Sequence, residues 1–158
     1  PIFFDDNVRR IVSSQEIEEE VEKMVSENLF YCTRNFVDFK EYNIKQGKII
    51  VDVDLLEEEI YIDVVYPIRI NKGEETVVLS DFENFVFDIR LGLIRNYAEE
   101  FVLEYFESKA ICLSCVLERA LLDDLYVSFF DEGDYNVVFV KDKSLEEEII
   151  FPFAVRKW

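Results

Sequence analysis

Three cysteines carry the most reactive side chains of this chain: Cys32, Cys112 and Cys115. The last two form Cys-x-x-Cys within AICLSCVLE. A redox motif of the thioredoxin type follows a strand and opens a helix, where the first thiolate is stabilised. Here the apolar spacing places the pair inside a helical pattern instead. A structural zinc site needs about four ligands, and the chain offers three cysteines and no histidine. Beside metal or redox catalysis, two readings stand. The cysteines are buried and reduced, behaving as small hydrophobes, or they form one disulfide. That disulfide joins Cys32 to one member of the pair, or Cys112 to Cys115.

Other catalytic routes are sparse. The absence of histidine removes the usual general base and the commonest metal ligand. No histidine can activate a serine. Among 35 acidic residues many carboxylate pairs can be drawn, so pairing alone says nothing about glycoside hydrolysis. Asp52 and Asp54 read as one solvated strand face, and Glu18, Glu19, Glu20, Glu22 and Lys23 as a solvated helix face. Arg90-Leu91-Gly92-Leu93 lies at a strand-to-helix junction, yet one glycine is no phosphate cradle. Gly92 reads as the residue of a tight turn. Asp131-Glu132-Gly133-Asp134 lacks calcium-loop spacing and reads as a hairpin turn. The sequence thus predicts no catalytic residue, no cofactor and no metal.

Aromatic residues are the other functional candidates. Phe129, Phe130, Tyr135, Phe139, Phe151 and Phe153 concentrate in the last third. On strands such residues are mostly core. If both faces of that hairpin are aromatic, one face needs a cover, and a contiguous exposed patch marks a protein interface. These six are the candidate interface.

The elements that position these residues follow from periodicity. Residues 1–13 read as a lead-in, and 14–158 as a single domain. Ser13-x-x-Glu16 is a capping box. After it, apolar residues at steps of three and four predict a long helix over about 14–37. Residues 48–55 alternate, and so do 59–70, with LLEEE between them, which suggests a hairpin. Asn71-Lys72-Gly73-Glu74 is a turn. Strands are predicted at 76–80 and 85–91. Pro67 cannot donate to a ladder and marks an edge or a bulge. Helices follow from Gly92 to about 107 and over about 111–121. A hairpin with Gly133 at its tip joins 125–130 to 135–142. A last strand covers 149–156, an edge by Pro152. Runs of strands and helices, not strict alternation, indicate α+β. The expected architecture is a long N-terminal helix and two further helices on a mainly antiparallel sheet of about six to seven strands.

Composition bounds the partners. The 158 residues carry 35 acidic against 17 basic side chains, a formal charge of −18. Nucleic acid is excluded, because phosphate neutralisation needs clustered Lys and Arg. The chain is half hydrophobic and 15% aromatic, which argues against disorder. No stretch approaches the length of a membrane span, and no signal-like region occurs. The chain begins at Pro1, so the expectation is a processed chain or a segment cut from something longer, with room for a signal or anchor upstream.

Several strings, in order, carry a resemblance. They are Tyr66-Pro67, Asn71-Lys72-Gly73 followed by Thr76, Ser80-Asp81-Phe82, Arg90-Leu91-Gly92, Cys112-x-x-Cys115-x-Leu117, Asp142-x-Ser144 and Phe153-Ala154. The set resembles uncharacterised proteins of small-genome (DPANN-type) archaea, over residues 14–156. The resemblance implies one N-terminal transmembrane helix followed by an extracytoplasmic α+β domain. It implies no activity, and its compartment permits a disulfide.

The expected function is a non-enzymatic, extracytoplasmic protein-interaction domain of a membrane-anchored archaeal protein. It binds a protein partner or itself, and meets the membrane only through the anchor. The alternatives are a cytoplasmic ligand-binding or regulatory module with an apolar pocket between helix and sheet, and a carboxylate-dependent hydrolase.

Overall fold

The computed structural model describes residues 2–4, 11–33, 36–144 and 149–157, with 2–4, 81 and 83 as backbone. The chain is α+β. In order it forms β1 (Ile2–Phe4), α1 (Ser14–Thr33), β2 (Asn43–Gln46), β3 (Ile50–Leu55), β4 (Ile60–Lys72) and β5 (Glu75–Phe87). Then follow α2 (Leu91–Ser108), α3 (Leu113–Leu122), β6 (Leu125–Glu132), β7 (Tyr135–Asp142) and β8 (Ile150–Arg156). The strands make two four-stranded sheets rather than one. The stretch read as a single domain over 14–158 divides into two compact units. One comprises 1–14, 56–59 and 89–158; the other comprises 15–55 and 60–88.

The first unit holds the sheet β1-β8-β7-β6. β6, β7 and β8 run antiparallel, and β1 lies parallel to β8. Part of the expected lead-in is therefore a strand. Pro152 does not mark an edge, since β8 lies between β7 and β1. Pro152 faces Phe139 of β7 and sits just before the stretch that pairs with β1. Ile94, Tyr97, Ala98, Phe101, Val102 and Tyr105 of α2 meet the inner row of the sheet in one core. The Tyr97 hydroxyl donates to the Val116 carbonyl at 2.8 Å, tying α2 to α3. Burial pushes the Tyr97 phenol well above its ordinary pKa.

Gly92 serves close packing. A methyl group there would lie 2.2 Å from the Leu56 carbonyl oxygen. The 56–59 segment thus presses on the first turn of α2, and the Leu93 amide donates to the Glu57 carbonyl at 3.2 Å. The expected tight turn is replaced by a backbone approach that no side chain permits.

Arg90 and Asp142 form the buried ion pair of this unit. Asp142 is the buried charged residue among those described, 1% exposed. Arg90 grips it through two nitrogens, at 2.8 and 2.5 Å. The Ser144 amide and hydroxyl also donate to Asp142, at 2.8 and 2.7 Å. Burial pushes the Asp142 carboxyl up, but the Arg90 and Ser144 hydrogen bonds outweigh it and leave its pKa below the ordinary value.

The second unit is built on β4. β2 and β3 lie end to end along one side of β4, and β5 pairs with its other side. Every pairing is antiparallel. Tyr66 and Pro67 fall in a register shift between Val65 and Ile68, and the Gly47 amide donates to the Pro67 carbonyl at 2.7 Å. Of the two placements open to Pro67, the structure takes the bulge, inside a central strand. The expected strands at 76–80 and 85–91 are one strand, β5, and β2 is an addition. β5 carries an extra residue opposite Asp63, which breaks the alternation of its sequence. α1 ends at Thr33, short of the expected 37; residues 34 and 35 lie outside the described residues, and Phe36 already has positive φ.

Candidate functional site

The sheet of the second unit has two unlike edges. β3 forms one. Glu18 and Glu22 of α1 reach it: the Leu55 amide donates to Glu18 at 3.0 Å, and the Val53 amide to Glu22 at 3.4 Å. One helical turn spaces the carboxylates by about 5–6 Å, close to the roughly 6.7 Å between alternate strand residues. The helix thus covers unpaired strand donors with its glutamates. These two residues were expected on a solvated face, and the structure corrects that reading.

β5 forms the other edge, and no strand pairs with its outer side among the described residues. Its pairing partners place Val77, Leu79, Phe82, Phe85 and Phe87 on the face of Ile70, Ile68, Val64, Ile62 and Ile60. The β4 members from Ile60 to Ile68 are buried, while the five on β5 are 39–54% exposed. Val78 and Val86 are exposed on the opposite face. A long apolar edge strand of this kind is a template for another strand, and proteins ordinarily cover or charge it. Beside it lies a cavity of about 280 Å³, lined by Val25, Leu29, Ile62, Val64, Phe82, Phe85 and Phe87. Its lining is wholly apolar.

The expected aromatic interface is divided by strand alternation. Phe153 is 1% exposed in the core, 5.4 Å from Phe101 by ring centroid. Phe129 and Phe151 pack against the same core. Pairing places Phe130, Tyr135 and Phe139 on the other face, where Phe130 and Phe139 meet edge to face at 5.3 Å. Phe153, Phe129 and Phe151 are core residues, so the six do not form one patch. β5 escaped notice because its apolar residues read as two ordinary core strands.

The cysteines resolve to one disulfide, Cys112–Cys115, with Cys32 free and exposed. The buried, reduced reading and both pairings with Cys32 are corrected. So is the placement inside a helix: Cys112 is the N-cap of α3, and its sulfur accepts from the Cys115 amide at 3.4 Å. The preceding element is a helix rather than a strand, ending at Lys109 in a left-handed cap. A ring this small removes only about 2 kcal/mol of unfolded-chain entropy by the loop-closure relation. The Glu104 carboxylate and both sulfurs lie within 4.8 Å of one another.

No protein family, curated protein or solved structure matches the chain. Among the described residues, no helix is long and apolar enough to cross a membrane.

Proposed function

We propose that this chain is a protein-interaction domain whose partner adds a strand to the open edge of β5. The observation that carries this is the contrast between edges: β3 is covered by Glu18 and Glu22, while no described strand pairs with the outer side of β5, whose row from Val77 to Phe87 is apolar. Main-chain pairing would give affinity, and the exposed row from Val77 to Phe87 would give specificity. The occupant is a strand of another protein, apolar and basic. A second copy would bring a further 18 negative charges, which oppose self-association. The same charge disfavours nucleic acid. An extracytoplasmic location in a membrane-anchored archaeal protein is supported by the sequence resemblance and by the disulfide, which suits an oxidising compartment.

The test uses an eleven-residue peptide of alternating valine and lysine as probe. It should slow hydrogen exchange across 77–87 at least tenfold, and Phe85→Lys should remove the effect. A pull-down from source membranes with wild type and the same variant should lose its partner with the variant. Unchanged exchange, with identical captures by both proteins, overturns the reading. A dimer at high concentration, protected over the same residues without peptide, assigns the edge to a second copy instead. Thiol counting without reductant should find one free thiol; three would overturn the location.

One observation favours a second reading, a module for a small apolar ligand. It is the apolar cavity between α1 and the sheet. A neutral probe such as naphthalene would then shift the Val25 and Leu29 methyl resonances and leave β5 exchange unchanged. The hydrolase reading requires a cleft with two acids, at least one with a strongly raised pKa, and Asp142, the buried acid among the described residues, has a lowered one.

A further inference from the structure

We infer that Cys112–Cys115 is a redox-active disulfide that exchanges with the dithiol of a partner protein. This activity lies outside the binding role of β5 and uses different residues. Four observations converge on it. The pair opens a helix of ten residues, with Cys112 at the N-cap. The Cys112 sulfur accepts from the Cys115 amide and lies 3.6 Å from the Ser114 hydroxyl, so a charge left on that sulfur meets ready donors. Cys115 is exposed and Cys112 half-buried, so a second thiol can approach. Leu113, Leu117 and Leu121 recur at one-turn spacing along α3, each more than half exposed. They supply an apolar stripe that begins beside the sulfurs, which suits a protein thiol better than a small one.

The exchange balances as follows. A partner thiol loses its proton to solvent, and the thiolate attacks the Cys112 sulfur. The bond between Cys112 and Cys115 breaks, and the Cys115 sulfur leaves with the electron pair. It takes a proton from solvent. The partner's second thiol, also deprotonated, then attacks its own sulfur in the mixed disulfide. Cys112 leaves as a thiolate held by the Cys115 amide and the Ser114 hydroxyl. The partner dithiol is oxidised by two electrons and Cys112–Cys115 is reduced by two.

Cys32 provides an internal reference, being exposed and outside any such cap. In the reduced full chain at pH 6, Cys112 should alkylate with iodoacetamide at least tenfold faster than Cys32. The oxidised chain should accelerate dithiothreitol-driven reduction of insulin, and Cys112→Ser should abolish this. Serine retains the helix cap, so far-ultraviolet circular dichroism should be unchanged. Cys115→Ser should trap a mixed disulfide with glutathione at Cys112, whereas Cys112→Ser should not trap one at Cys115. Glu104→Gln should quicken Cys112 alkylation, because it removes a like charge within 4.8 Å of the sulfur. Equal alkylation of Cys112 and Cys32, or a native disulfide that excess glutathione leaves oxidised, overturns the inference.

Discussion

At the scale of single residues, Arg90 and Asp142 matter most to the first unit. Both strings had been singled out, Arg90-Leu91-Gly92 and Asp142-x-Ser144, but their partnership spans 52 positions and no local rule connects them. Asp142 has a fully buried side chain and Arg90 is 15% exposed, so truncating Arg90 leaves a charge without compensation. Arg90→Met should cost about 3–5 kcal/mol, read by urea denaturation. The sign with pH follows from the lowered Asp142 pKa. Its contribution is fully present above the unfolded carboxyl value of about 4, and is lost as pH falls through the lower folded value. Stability should therefore fall steeply below about pH 4 in wild type and less steeply in Asp142→Asn. An equal acid response in both proteins would refute the assignment. Cys112 teaches a related lesson. The break between α2 and α3 was legible, but apolar spacing resumes at Ile111 and conceals that Cys112 caps α3 from outside the helix.

At the scale of elements, the helices and the two late hairpin strands were legible, because a periodicity of 3.6 or 2 survives wherever one face is buried. β5 was not. Its extra residue opposite Asp63 shifts the phase midway, so one strand of thirteen residues reads as two. The edge function of α1 was equally hidden, since a glutamate that accepts from a strand has the same spacing as one in water. Glu18→Ala with Glu22→Ala should cost about 1 kcal/mol for each orphaned donor. Amide exchange at Val53 and Leu55 should quicken selectively. Unaltered exchange at both amides would mean that water satisfies this edge and that the contrast with β5 is weaker than drawn.

At the scale of the whole molecule, the excess of acid acts on stability as well as on partners. Raising ionic strength from 0.01 to 0.1 M shortens the screening length from about 30 to about 10 Å. Self-repulsion among the 18 excess negative charges should relax. Thermal unfolding should move upward with added sodium chloride; a downward shift would show that attractive pairs dominate. The α+β class was readable from the order of elements, but the division into two units was not. The chain passes from one unit to the other without glycine- or proline-rich linkers, which are the usual composition cue.

The pairing of β1 with β8 has a consequence for the newborn chain. Ile2 lies beside Phe153, so β1 waits for a partner about 150 residues further along the chain. The second unit is complete once Asp88 has emerged. Residues 15–55 and 60–88 can therefore close early on the ribosome, while β1 stays without β8 until 150–156 emerge. Contacts this distant in sequence are slow to form. Stalled chains ending between residues 100 and 140 should thus protect 60–72 from a protease before they protect 2–4.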